Sequence, residues 1–212
     1  MLVHPWDEAT TDQRRKVLAA TDFGQLVTAG LVDGYPVVVP THFLHDGDAT
    51  VLLHLARPNP LWAALEQDPH VVLALALGET YVEAAWNAAP GSDPALGVPT
   101  SYYTAVQLRC VAEVVDDPDE KAAILAAQLA HHEPPGSTRR TPSAAEEADR
   151  RLLPGIRGLR LHVQQVVAKQ KYGGNKQPTH RAAIAERLLE RGAPHDARAA
   201  GQLRAQDPPH VT

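Results

Sequence analysis

Apolar and polar positions alternate, or apolar residues run together in short blocks, through most of the first 170 residues, and this pattern predicts strands more often than helices. A short helix is expected over Thr11–Ala20. Gly24–Leu31 follows as a strand, Asp33-Gly34 as a hairpin turn, Pro36–Leu44 as the returning strand, Asp46-Gly47-Asp48 as a second turn and Thr50–Ala56 as a third strand. Connections this short allow only antiparallel neighbours, so these three strands read as a meander. A helix from Pro60 to about Gln67 interrupts it. Val71–Leu77 and Thr80–Trp86 read as a further strand pair around Gly78, and the Pro-, Gly- and Ala-rich segment 87–99 as a loop.

The clearest alternation begins at Val106: Val106, Leu108, Cys110, Ala112 and Val114 face one way, Gln107, Arg109 and Glu113 the other. Asp117-Pro118 opens a helix running to about His131. Ser143 with Glu146 predicts a capping box for a short helix ending near Leu153. Leu159, Leu161 and Val163 alternate with polar residues in a last strand reaching Lys169. A helix capped by Thr179 and ended near Gly192, a second helical piece and a Pro-rich tail complete the chain. The expected fold is mainly β with peripheral helices (α+β), about seven antiparallel strands in a closed or nearly closed barrel. Residues 1–176 are expected to form the barrel domain and residues 177–212 a helical extension packed on it.

Composition narrows the functions. In 212 residues, 44% hydrophobic and 21% charged, the chain has the make-up of an ordinary globular protein with a sizeable core. A formal net charge of −5 does not fit a general nucleic-acid binder, so direct DNA binding is not expected. The single cysteine, Cys110, excludes an internal disulfide and a cysteine-based zinc site, and its alternation places it in the core. No apolar run approaches the roughly 20 residues of a membrane span, and no signal-peptide pattern opens the chain, so a cytoplasmic location is expected.

Candidate chemistry is sparse. Arg57 stands where a strand ends and Asn59-Pro60 opens a helix, a place that could hold an anion, although on spacing alone an exposed strand-end arginine without a ligand is the commoner case. Lys169-Gln-Lys-Tyr-Gly-Gly-Asn-Lys176 is a basic, glycine-containing turn that could close over a phosphate or stay solvated. Of eleven histidines, His131 and His132 end a helix, where the dipole alone favours them and where neighbouring side chains diverge. His42 and His54 could meet on neighbouring strands. Two histidines without a third ligand do not make a metal centre, so none is expected. No nucleophile elbow, phosphate-binding loop or dinucleotide fingerprint occurs, and no residue stands out as a catalytic acid or base.

Several pieces in order resemble one family: Ala56-Arg57-Pro58-Asn59-Pro60-Leu61-Trp62, Val98-Pro99-Thr100 followed by Tyr103, Leu152-Leu153 with Ile156-Arg157-Gly158, and Lys169-Gln170-Lys171 with Asn175. The chain resembles PaiB-type proteins, FMN-binding negative transcriptional regulators of the wider pyridoxamine-phosphate-oxidase-like split β-barrel group. The resemblance spans nearly the whole chain and implies a homodimeric, antiparallel split β-barrel with flavin sites at the subunit interface. It implies FMN contacts from His42, His54, Leu55, Arg57, Asn59, Tyr103, Lys169, Lys171 and Asn175, with Arg57 and the two lysines at the flavin phosphate. It also implies a regulatory or sensing role exerted indirectly. The chain departs from the family at Glu83, Ser101, Tyr102, Gly173 and Gly174, where polar groups able to bond a flavin are lost and a carboxylate is gained. The same barrel type hosts flavin-dependent oxidoreductases and haem-binding proteins, so a flavin oxidoreductase, or haem on His42 or His54, are the alternatives.

Overall fold

The computed structural model describes residues 1–47 and 49–206. Helix α1 (Thr11–Ala19) leads into β1 (Phe23–Val32) and β2 (Tyr35–His42), joined by Asp33-Gly34. Both turn residues take positive φ, 52° and 84°, as a two-residue hairpin needs to follow the strand twist. The chain continues through β3 (Leu44–His45), β4 (Thr50–Ala56), α2 (Leu61–Gln67), β5 (His70–Val82), α3 (Ala84–Asn87), β6 (Thr100–Val115), α4 (Pro118–His132), α5 (Glu147–Leu152), β7 (Ile156–Lys171), α6 (Pro178–Arg191) and α7 (Asp196–Ala205). One seven-stranded antiparallel sheet has the order β2-β1-β5-β6-β7-β4-β3. This is the α+β fold that the alternation predicts. The expected turn residue Asp48 and the Pro-rich tail lie outside the described residues.

Four local expectations are corrected. Val71–Leu77 and Thr80–Trp86 are not a strand pair: β5 runs unbroken to Val82, and Ala84–Asn87 is helical. Gly78, at φ +61°, shifts the buried face from odd positions (Val71, Leu73, Leu75) to even ones (Thr80, Val82). A reader of alternation meets that slip as a break. The meander also stops at β2. The strand Thr50–Ala56 pairs along its whole length with β7, from Thr50↔His162 to Ala56↔Ile156, and only the two-residue β3 pairs on its other edge. Buried Phe43, whose amide donates to the Asp22 carbonyl at 2.8 Å, leads the chain away from β1.

Third, the wet-and-dry alternation of β6 fails at its end. Val114 is exposed and Val115 buried, beside Ala112, whose amide leaves the ladder for the Pro69 carbonyl. Fourth, the Ser143–Glu146 capping box and the Thr179 cap do not form. The Asp149 carboxylate takes the Ser143 amide at 3.0 Å and pairs with Arg139 and Arg140, which holds Asp149 below the usual carboxylate range, the Ser143 bond foremost. Helix α6 starts on Pro178, a residue suited to the first helical position, without a side-chain cap from Thr179.

By contacts the chain divides into two compact units, and β5, β6 and β7 each run through both. One unit comprises Met1–Arg14, Ala76–Val106 and Val167–Thr212. Its core joins Val82, Tyr102 and Tyr172 to Ile184, Ala185 and Leu188 of α6 and Ala199, Ala200 and Leu203 of α7, so the two helices supply most of the buried residues of this cluster. The other unit comprises Arg15–Leu75 and Gln107–Val166. It buries Leu26, Leu53, Leu73, Leu108, Leu159 and Leu161 completely, each worth about 1.5–3 kcal/mol by transfer. Cys110 is core, as expected, and burial pushes its thiol up to about 12, so it is not a ready nucleophile.

Candidate functional site

The basic turn is not a solvated loop. β7 ends on Lys171, and Tyr172 is fully buried. The chain then reverses with Gly173 at φ +67° and the Lys176 amide donating to the Gly173 carbonyl at 2.9 Å. This folding brings Lys169, Lys171, Asn175 and Lys176 to one cavity of about 410 Å³, lined also by His4, Trp6, Asp7, Asn87, Thr100 and Tyr102. All these residues belong to the first unit.

The cavity is cationic. Lys169, 6% exposed, donates to the Leu2 carbonyl at 3.1 Å and lies 3.5 Å from the Asp7 carboxylate. Burial raises the pKa of Asp7, an effect that Lys169 opposes. Lys171 donates to Thr100 Oγ1 at 2.7 Å. Both ammonium groups stand near the Tyr103 ring, at 5.9 and 5.8 Å from its centroid, a cation–π pairing that fixes them side by side. Lys176 has no carboxylate partner among the described residues, and burial lowers its pKa. Three ammonium groups thus face one carboxylate. Two buried polar atoms of residues lining the same cavity, Tyr102 Oη and Asn87 Oδ1, have no hydrogen-bond partner among the described residues. A group left this way costs about 1–3 kcal/mol unless something binds it.

Of the predicted site residues, Tyr103, Lys169, Lys171 and Asn175 meet here, and His42, His54, Leu55, Arg57 and Asn59 belong to the other unit. Arg57 is engaged: its Nε donates to the Pro154 carbonyl at 2.7 Å and its Nη2 to Asp116 at 2.8 Å. Arg157 grips the other oxygen of Asp116, and its hydrogen bond, then that of Arg57, holds Asp116 below the usual carboxylate range. The helix amide expected to be open beside Arg57 is taken by Asn59 Oδ1, which accepts from Leu61 at 2.9 Å. His54 Nδ1 lies 2.5 Å from Gln128 Oε1, and Leu55 is buried. His42 makes no hydrogen bond or ring contact to His54 among those of the described residues. It faces Asp22 and His132 instead.

Sequence reading missed Asp7, Thr100 and the two unpartnered atoms. Asp7 reaches the lysines because Glu8 bridges Lys169 and Ala9 bonds to Ala168, contacts between segments about 160 positions apart that no local pattern announces. Glu83, feared as a negative charge in the site, is exposed at the start of α3 and does not line the cavity.

The model of the family described as "Putative FMN-binding domain" matches residues 2–165. The chain belongs to this family. No curated protein matches the sequence. Solved structures that share the fold include the flavocytochrome Anf3 from Azotobacter vinelandii, at 20% identity over 79% of this chain and 71% of that one, TM-score 0.59. The FAD and haem binding protein from Mycobacterium smegmatis matches at 17% identity over 77% and 72%, TM-score 0.57. A conserved hypothetical protein from Mycobacterium tuberculosis matches at 16% over 80% and 90%, TM-score 0.56. These likenesses concern the fold. The family match ends before Lys169, so the lysine cavity rests on its own geometry. Its excess of ammonium groups and its unpartnered Tyr102 hydroxyl are donors that fit a phosphate-bearing ligand of the kind the family name gives, and the Asn87 amide oxygen is an acceptor for a ligand hydroxyl or N–H. Among the described residues no helix is long and apolar enough to cross a membrane.

Proposed function

We propose that this protein binds FMN and that the flavin phosphate is held in the lysine cavity, by Lys171 and Lys176 directly and by Lys169 from behind. The observation that carries the reading is the half-buried Lys176, without a counter-charge, beside two further ammonium groups and the unpartnered Tyr102 hydroxyl. A phosphate would neutralise that excess through charge-assisted hydrogen bonds. A terminal phosphate monoester suits three converging ammonium groups better than the diphosphate of FAD, which must leave room for a second nucleoside. Asn175 and Thr100 lie beside the lysines to bond the sugar or phosphate oxygens, and the Trp6 and His4 rings, stacked at 4.7 Å, cover the cavity from the N-terminal side. When bound, the flavin supplies the redox chemistry. The protein's part is to bind and orient it.

With the PaiB resemblance and the acidic net charge, this supports a homodimeric sensing protein that affects transcription indirectly, through its flavin or a partner and not by contact with DNA. The test is a flavin-fluorescence titration with FMN and with riboflavin, which lacks the phosphate. Lys171→Gln and Lys176→Gln are each expected to weaken FMN by about 1.5–3 kcal/mol, roughly 10- to 150-fold in Kd, and to leave riboflavin nearly unchanged. Equal loss for both ligands would remove the phosphate from this cavity. Arg57→Lys belongs in the same experiment. A lower FMN-to-riboflavin preference would add Arg57 to the phosphate site, as the resemblance implies. An unchanged preference with a lower melting temperature would make it the brace of Pro154 and Asp116.

A further inference from the structure

Away from the lysine cavity, three segments far apart in sequence bring metal-ligating groups together. Asp22 precedes β1, His42 closes β2, and His131 and His132 close α4. One donor atom from each of Asp22, His42 and His132 lies within 4.8 Å of the other two. His132 Nδ1 is 3.5 Å and His42 Nδ1 3.9 Å from the Asp22 carboxylate, and the two imidazole centroids are 4.8 Å apart. His131 Nε2 reaches the same carboxylate at 3.1 Å.

We propose that Asp22, His42 and His132 form a binding site for a divalent transition-metal cation of the zinc class, with His131 orienting the carboxylate. Tetrahedral zinc with bonds of about 2.0–2.1 Å places its donors about 3.3 Å apart. The Asp22–His132 separation is already near that value, and the others close on it through side-chain rotation alone, since His42 is exposed and free to turn. Two imidazoles and one carboxylate are a donor set that zinc accepts, and that magnesium and calcium, which prefer oxygen, do not. The C-terminal end of α4 adds its negative dipole at the position of the cation. A cavity of about 280 Å³, lined by Asp22 and His131 together with Leu18, Phe43 and Leu44, opens beside the group and has room for a water as the fourth ligand. Adjacent histidines on a helix diverge, as the sequence suggests. Only one of the two is needed as a ligand, and the other bonds the carboxylate, the supporting role that a zinc ligand ordinarily receives.

The site is tested on the full chain after treatment with a chelator, by calorimetric titration with zinc chloride and, separately, magnesium chloride. A single zinc site is expected, with no binding of magnesium and a higher melting temperature in zinc. Loss of an outer partner alone costs about 10- to 100-fold in metal affinity, so Asp22→Asn combined with His132→Gln should weaken zinc by more than about 100-fold and abolish the thermal shift. If that double variant does not fold, judged by circular dichroism without metal, His42→Gln serves instead, because its ring is exposed and its removal leaves the core intact. No zinc binding by the unaltered protein, or unchanged affinity in a folded variant, overturns the proposal.

Discussion

Replacing Asp196 by alanine is expected to destabilise the protein by about 3 kcal/mol. The Asp196 side chain is completely buried and accepts four hydrogen bonds, from Arg191 Nε at 2.9 Å and Nη2 at 2.7 Å, from Thr80 Oγ1 at 2.5 Å and from the Ala193 amide at 2.8 Å. Removing the carboxylate leaves four donor groups around a void. Arg191 is itself a quarter exposed, so water can reach it and the cost stays at the lower end for a broken buried pair. Asp196→Asn keeps the shape but turns one acceptor into a donor against Arg191, and about 1–2 kcal/mol is expected.

The pH dependence gives a second readout. Hydrogen bonds from Arg191, then Thr80 and Ala193, lower the folded pKa of Asp196 from its ordinary 3.8. The stabilisation is therefore fully present above the ordinary value and is lost as pH falls through the lower folded one. Urea unfolding followed from pH 6 downward should show the gap between the native protein and Asp196→Ala closing in acid, below about pH 4. A gap that stays constant would mean that the cost is one of packing and not of charge.

Gly30→Ala is expected to cost about 3 kcal/mol or more, at or beyond the upper end for overpacking. A β-carbon there would stand 2.0 Å from the Ala64 carbonyl oxygen and 2.8 Å from its carbon, both backbone atoms of α2. Neither can rotate away, so β1 or the helix must move. The approach is built on a bulge, where Thr28 Oγ1 donates to the Gly30 carbonyl and accepts the Val37 amide. Gly155→Ala is the control, since nothing lies within 4 Å of its β-carbon position, and a change near zero or slightly stabilising is expected. Equal unfolding midpoints for the two variants would show that the helix yields freely.

Three of the departures from the PaiB pattern, Tyr102, Gly173 and Gly174, lie together at the turn. A side chain at Gly173 would meet the Tyr102 hydroxyl at 2.8 Å, and one at Gly174 would meet the Trp6 carbonyl oxygen at 2.1 Å. The glycines therefore make room for a buried tyrosine and for the N-terminal segment to close on the turn. In the sequence these positions read as lost polar groups. In the fold, Tyr102 brings an unpartnered hydroxyl to the cavity in their place.

The sequence by itself determined most of the strands and helices and the antiparallel class, because alternation, the Asp33-Gly34 turn and the stop at Gly192 are written within a few residues of where they act. Through the order of its motifs it also pointed to Tyr103, Lys169, Lys171 and Asn175. Tertiary structure alone decided which strands are neighbours, since the sheet pairs β4 with β7 across about 100 residues and local pattern carries no record of partners. It decided that Asp7 and Lys176 share a cavity with those lysines, that Asp116 and Pro154 occupy Arg57, and that two histidines set aside as helix ends face Asp22. Periodicity states which face of an element is apolar. The choice of what covers that face, and of which charges meet there, is made by packing between distant segments.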